Sequence, residues 1–463
     1  MLHRTSTSAL SLALATLAAS AATAQAADLT DSCCADLEER VAELEATVAR
    51  KGNRKLSLEI YGQVNEAVLI WDDGGERNAY LVTNDNARGR FGFRGSAKLG
   101  GEWEAGYRLE VGVRTISSKR FTQDDSIASA DSGFDLRDSY WFVKNKSLGS
   151  VFVGRSTTAT NAITESNLSQ TAQFSKYSDV EDSGLGLRLR SAATGGLSAL
   201  TWRRLLGDGG DQPGEGERAV ENVRYETPAW SGFVASASWG MDDVWDVALR
   251  YTGDGLGFKY VAGIGYGEVL DDAQTQTVCV GSTLGTSSDA RCHNFGGSLS
   301  VLHEATGLFV NVGAGLKTDD RLRHSALFTG TGADNDQTFW AIQAGVEKKF
   351  NSFGKTTIYG EYYDYDGGAN QRRTIDGTDG GVADALNPFA TGDSAIWATG
   401  LEMWGAGIAQ SFDKAALLLY LSYRHYEADL TLRQIVGGSA AGLTAGAGLE
   451  DLDVVLAGGL IKF

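Results

Sequence analysis

From Leu56 to Phe463 the apolar and polar positions alternate with a period of two. In one run Trp103, Ala105, Tyr107, Leu109, Val111 and Val113 share one face, and Glu104, Gly106, Arg108, Glu110, Gly112 and Arg114 share the other. Successive side chains leave a strand on opposite sides, so this pattern predicts strands with one apolar face. Similar segments recur at 56–70, 86–99, 102–116, 137–146, 150–155, 184–192, 197–206 and onward to 450–463. Together they predict about 18 strands, many reaching the roughly 9–11 residues that cross a bilayer at a tilt. The number falls to about 16 if two segments are hairpins inside a loop.

The links sort by length. Gly100-Gly101, Ser147-Leu148-Gly149, 253–255, 305–307 and Asp413-Lys414 are short; 71–85, 117–136, 156–183, 269–292, 318–337, 367–396 and 427–449 are long. Short and long alternate, except for a tight link near Asp242-Asp243. Outer-membrane barrels carry short periplasmic turns and long outer loops, whereas a soluble sandwich has no reason to sort them. The expected fold is therefore all-β, a transmembrane antiparallel β-barrel over 54–463 with both ends at the periplasm.

The residues before the barrel read differently. Met1–Ala26 has a basic start (His3, Arg4), an apolar stretch Ala9–Ala22 and the small-x-small run Ala24-Gln25-Ala26, the pattern of a cleaved signal peptide. Within 27–53, Leu37, Val41, Leu44 and Val48 recur at 4-3-4 spacing, the a/d seam of a short periplasmic coiled coil. Two heptads are marginal alone, so they suit three copies already held together. A single amphipathic helix lying on its own barrel is the alternative.

Composition narrows the function classes. Gly is 59 of 463 residues and Pro only 3, which suits many paired strands with crowded turns. The net charge of −18 disfavours nucleic acid as a partner, since phosphate backbones need a basic footprint. Acid pairs such as Asp124-Asp125, Asp271-Asp272 and Asp319-Asp320 fall between strands. They form either a solvated loop surface or sites where loop-bound Ca²⁺ or Mg²⁺ bridges to lipopolysaccharide and other anionic outer-membrane lipids. Cys279 and Cys292 flank a Gly/Ser/Thr-rich segment and predict a local disulfide in an oxidising compartment. Cys33 and Cys34 are adjacent, which strains a mutual bond. His293, His303, His324 and His425 show no metal-ligand spacing, and no Gly-x-Ser-x-Gly elbow occurs in a strand-to-helix setting. No catalytic apparatus is expected.

Parity selects the lumen side chains. If Phe91 and Phe93 face lipid, then Arg88, Arg90 and Arg94 face inward, as do Arg108 and Arg114 on the next strand. Leu185, Leu187 and Leu189 facing lipid would put Arg188 and Arg190 inside. The opposite orientation would cost roughly 2–4 kcal/mol for each cation at the hydrocarbon midplane. Loop 156–183 offers Glu165, Asp179, Glu181 and Asp182 as opposing acids. Arginines facing carboxylates across narrow water make a transverse field that favours hydrophilic solutes. The alternative is that the arginines simply pair with wall acids such as Glu104 and Glu110.

Residues 88–110, RGRFGFRGSAKLGGEWEAGYRLE, resemble the second and third strands of general trimeric bacterial porins. Tyr61-Gly62-Gln63 is similar to their first strand, and the run Leu148–Arg155 to their fourth turn and fifth strand. The coiled coil resembles a feature of some alphaproteobacterial porins. Gly458, Ile461 and Phe463 resemble the C-terminal assembly signal, with Leu456 standing where a polar residue is usual. The motif-level match lies within 56–155. The resemblance implies a homotrimer whose subunits each carry a pore for passive diffusion of ions and small hydrophilic solutes. It also implies that the loop after the fifth strand, 156–183, folds inward. By family position Arg90 and Arg155 belong to the basic ladder, although Arg155 shares parity with outward Val151 and Val153. Gln63 stands where the family often has Lys. Two further readings stay open: a substrate-specific sugar channel, and a tether whose helix grips peptidoglycan.

Overall fold

Among the described residues, sixteen antiparallel strands pair in chain order and close into a barrel. The computed structural model describes residues 56–124, 132–206, 212–216, 220–240, 244–269, 291–377, 383–389 and 392–463. The expected signal peptide, the seam residues Leu37, Val41, Leu44 and Val48, and Cys33, Cys34 and Cys279 lie outside them.

The strands are β1 (Glu59–Asp72), β2 (Arg90–Gly100), β3 (Trp103–Arg114), β4 (Gly133–Asn145), β5 (Gly149–Ser156), β6 (Val220–Glu226), β7 (Phe233–Gly240) and β8 (Val244–Gly255). The second half comprises β9 (Phe258–Val269), β10 (Cys292–His303), β11 (Leu308–Asp319), β12 (Asp336–Lys348), β13 (Thr356–Gly367), β14 (Ser394–Phe412), β15 (Leu417–Gln434) and β16 (Leu452–Lys462). β1 closes the sheet on β16, from Gln63 opposite Lys462 to Asp72 opposite Asp453. Gly62 and Phe463 add reciprocal backbone hydrogen bonds of 3.0 and 3.1 Å. Closure leaves no unpaired edge, which a sheet in hydrocarbon requires.

The wall is uneven. β14 and β15 span 19 and 18 residues, whereas β5, β6 and β7 span 8, 7 and 8. In the ring these two groups lie roughly opposite each other. The outer face carries exposed apolar side chains, including Ile60, Val64, Leu249, Ile264, Trp340 and Trp404. Such a band buries itself in lipid, with Trp and Tyr favoured where hydrocarbon meets headgroups.

The count of about 18 needs correction to its smaller alternative. Segments 184–192 and 197–206 do not enter the wall. They contribute Arg188–Arg190 and Leu197–Thr201, a small separate sheet within the long connection between β5 and β6. Leu185, Leu187 and Leu189 do not face lipid either; all three are completely buried. They pack with Phe174, Trp202 and Leu205 against inner-wall Tyr363, Met403, Tyr426 and Val454. The predicted alternation is real, but a plug core rather than lipid buries its apolar face.

The same plug explains Leu456. It is inward-facing and 1% exposed, within the cluster that joins plug to wall. A polar residue there would face apolar packing instead of water.

Candidate functional site

The connection leaving β5 enters the lumen and is fastened to one strand after another. The backbone N–H groups of Ala159 and Thr160 donate to Asp246 on β8 at 3.0 and 2.7 Å. Ser166 and Leu168 donate to the hydroxyls of Ser298 and Ser300 on β10, both at 3.0 Å. Gln170 N–H donates to Glu347 on β12 at 2.6 Å, and Ser175 Oγ to Glu361 on β13 at 3.0 Å. Arg424 on β15 donates to the Lys176 carbonyl at 2.6 Å. Small hydroxyl residues in the loop meet inward Ser and Glu, so polar backbone can hydrogen-bond to the wall as it lies against it.

One arc stays open. A polar cavity of about 410 Å³ separates the plug from β1–β4. Its wall side bears Arg88, Arg90, Arg114, Arg137 and Lys462 with one acid, Asp85; facing them are Lys119, Glu165, Lys176, Asp179, Asp182 and Glu215. A narrow water-filled gap between unlike charges is the geometry that filters ions.

On the wall, buried Glu110 collects guanidinium groups. Arg108 Nη2 lies 2.6 Å and Arg137 Nε 2.7 Å from its two oxygens. Arg88 pairs with Asp135 at 2.5 Å and Arg114 with Asp85 at 2.8 Å. Arg90 is held more loosely, 3.3 Å from the neutral Gln63 amide and 3.9 Å from Glu110. Gln63 also donates to the Ala87 and Arg88 carbonyls at 2.7 and 3.1 Å, which fixes the bend leading into β2.

On the plug, Lys176 Nζ lies 3.0 Å from Glu165 and 2.9 Å from Asp179. Lys119 reaches Glu181, and Asp182 at 2.9 Å. Glu215 accepts from the Ala162 and Thr164 backbone at 3.1 and 3.0 Å. Burial, followed by the neighbouring Glu165 charge, pushes the Glu215 carboxyl up to about 8. Burial also raises Glu165, and burial with the Asp179 charge raises Asp182 well above its ordinary value. Burial acts most strongly on Asp179 too, but the Lys176 and Lys119 charges and its hydrogen bonds together outweigh it and hold the carboxyl low. Burial thus shifts Glu165, Asp182 and Glu215 toward their protonated forms, while Asp179 is held toward its charged form.

The predicted residues divide. Arg88, Arg90, Glu165, Asp179 and Asp182 line the cavity. Glu181 sits behind it, completely buried against Lys119 and Arg203. Arg94 pairs with Glu59 at 2.5 Å, outside the cavity lining. Arg108 stands behind Arg90, on Glu110 and Asp138. Arg155 is a correction: it pairs with exposed Glu221 at 2.7 Å and with the Leu136 carbonyl at 3.0 Å, on the outward parity of Val151 and Val153. Arg188 and Arg190 are corrected as well. They belong to the plug and pair with Asp124 at 2.5 Å and Asp73 at 2.9 Å. Cys292 is disulfide-bonded.

Parity missed Arg137 for a physical reason. The β3–β4 register slips between Glu110 and Val111, so Arg137 is an extra residue in a bulge. Arg137 and Asp138 are then both buried, 6% and 4% exposed, despite being neighbours. Lys462 was detectable, because it shares parity with inward Leu460. Lys119, Lys176 and Glu215 carry no periodic signal.

Asp179, Glu181 and Asp182 bring carboxylate oxygens within 4.8 Å of one another, but Lys119, Lys176 and Arg203 already occupy them. Inner-wall Tyr359, Tyr363 and Tyr426 are buried against the plug.

A family model described as Gram-negative porin matches residues 10–448. The anion-selective porin of Comamonas acidovorans aligns over 88% of this chain and 100% of its own, with 16% identity and a TM-score of 0.50. In-vitro folded OmpT of Vibrio cholerae aligns over 89% and 99%, with 11% identity and a TM-score of 0.49. Salmonella typhi OmpF, solved with daunomycin, aligns over 90% and 100%, with 12% identity and a TM-score of 0.46. No curated protein matches the sequence. At these identities the structural likeness concerns the fold.

Proposed function

The chain belongs to the Gram-negative porin family, and we propose that its pore favours small anions, selected in the gap between the plug and the β1–β4 arc. It is an outer-membrane channel for passive diffusion of small solutes, and not an enzyme. The observation that carries the preference is the unequal charge across the cavity. Arg90 offers a cation with only loose compensation, and Lys462 and three further arginines share its side. Across from them, Glu215, Glu165 and Asp182 are raised toward their neutral forms, and Lys176 offsets Asp179.

The test is the zero-current potential of the purified protein in a planar bilayer under a KCl gradient. An anion-favouring pore makes the dilute side negative. A positive dilute side would mean that the acids dominate, and the proposal would fail.

Three copies assemble in this reading, with the seam at Leu37, Val41, Leu44 and Val48 as the periplasmic grip. Three equal closing steps in the same recordings support it, and single steps exclude it.

A further inference from the structure

Below the constriction, toward the periplasm, cations on the inner wall lie over aromatic rings. Arg94 on β2 and Arg108 on β3 place their guanidinium carbons 5.0 and 5.3 Å from the centre of the Tyr61 ring. Arg108 in turn stands opposite Tyr140 on β4. Lys144 Nζ lies 4.5 Å from the centre of the Phe142 ring and 5.5 Å from that of Phe152 on β5. Arg224 on β6 covers Phe152 from 4.6 Å. Phe152 also meets Tyr140 and Phe142, at centre-to-centre distances of 5.9 and 6.0 Å. Among the described residues, the cation–π pair outside this band is Arg433 with Trp397.

The wall makes room for the rings. Phe142 stands opposite Gly106 on β3, where a Cβ would come within 2.3 Å of the ring. With no side chain there, Phe142 lies across the neighbouring strand instead of projecting into the lumen. Phe152 is 6% exposed and forms the floor, while Tyr140 and Phe142 are half-buried and Lys144 is exposed. The cations differ in what holds them. Arg94 pairs with Glu59, Arg108 with Glu110 and Asp138, and Arg224 with Glu226 at 3.3 Å. Lys144 is held by ring faces: among the described residues, Glu104, its neighbour across the β3–β4 ladder, forms no ion pair with it.

A ring face attracts an ammonium group without neutralising it, so the donors turned toward the lumen remain available to an anion. The half-buried rings beside it offer an apolar surface to the body that the anion is attached to. A solute with a planar ring and a carboxylate uses both. Its oxygens accept charge-assisted hydrogen bonds from Lys144, and its ring packs edge-to-face or offset against Phe142 and Tyr140. We propose that Lys144, Phe142 and Tyr140 form a subsite for small aromatic carboxylates on the periplasmic side of the constriction. An aliphatic acid of the same charge gains only the hydrogen bonds. The subsite's part in transport rests on the anion-favouring channel reading; the binding does not.

The experiment follows benzoate binding to the folded full chain in detergent by saturation-transfer NMR, with acetate as competitor. The wild type shows a saturable benzoate signal that acetate displaces only at concentrations on the order of tenfold higher, since acetate lacks the ring contacts. Lys144→Gln raises the half-saturating benzoate concentration on the order of tenfold, as expected for lost charge-assisted hydrogen bonds, and Lys144→Arg restores it. Lys414→Gln, which removes an exposed lysine from another periplasmic turn, binds like the wild type. Matching thermal melting shows that the variants are folded. Absent saturation in the wild type, acetate competing as well as benzoate itself, or an unaffected Lys144→Gln would each overturn the subsite. Equal weakening by Lys144→Gln and Lys414→Gln would reduce the binding to non-specific charge and overturn it too. Silent bilayers alongside the NMR difference would refute the channel and leave the subsite standing.

Discussion

Arg424 on β15 and Glu361 on β13 form an ion pair across the inner wall beneath the plug, Nε to Oε1 at 2.8 Å, with side chains 1% and 0% exposed. Arg424 also donates to the hydroxyls of Ser175 and Ser183 at 3.0 and 3.2 Å and to the Lys176 carbonyl. Glu361 accepts further from Ser175 and from Gln343. A buried pair is tolerable only when its remaining donors and acceptors are met, as they are here. The pair pins the turn that carries Lys176, Asp179 and Asp182, so charge placement at the constriction depends on two residues outside the cavity lining.

Arg424→Met strands the Glu361 charge and should cost about 3–5 kcal/mol. The melting temperature is expected to fall, and the open-channel current to become larger and noisier. Arg424→Met/Glu361→Leu should recover stability but keep the noise. Quiet, wild-type current from a destabilised Arg424→Met would mean that the pin does not govern the constriction.

Arg90→Gln removes the most loosely held cation of the arc, and Gln63→Lys adds one beside it. Zero-current potentials should move in opposite directions, toward cations for the first and anions for the second. Melting should change little for Arg90→Gln, since no short ion pair is lost. Unmoved potentials in both would show that ions are filtered elsewhere.

The Glu215 carboxyl is raised from the ordinary 4.5 to about 8. A folded value above the unfolded one means that the unfolded chain releases its proton first as pH rises. Its contribution to stability is therefore complete below about 4.5 and is lost progressively until about 8. Above that pH the cavity gains a negative charge, so anion preference should weaken. Glu215→Gln should flatten both dependences between these limits. A pH profile unchanged by Glu215→Gln would assign the titration to another group.

Trp202→Ala opens a void in the plug core and should cost about 3–5 kcal/mol of local packing. The barrel closes through its own strand ladder, so the folded band on unheated gels should persist while conductance rises. Loss of the barrel itself would show that plug and wall fold as one unit.

Peptide mapping without reductant is expected to recover Cys279 linked to Cys292. A free Cys279 would give Cys292 a different partner.

What the sequence determined by itself is what a period of two can encode. Strand existence, the inner and outer faces of β1–β3, the sorting of short and long links, and the placement of Arg88 and Arg90 all follow from side chains leaving a strand on alternate sides. The environment that buries a face is not encoded this way. Leu185, Leu187 and Leu189 read as a membrane strand because lipid and a protein core demand the same alternation. Only the packed structure placed 184–206 in the inward-folded plug and so decided for sixteen strands over eighteen. The constriction divides along the same line. Arg137 faces inward through a bulge that breaks parity, and Lys119, Lys176 and Glu215 are brought there by an aperiodic loop held by hydrogen bonds to distant strands. Those contacts join residues far apart in the chain, so their partners exist only once the barrel has closed around them.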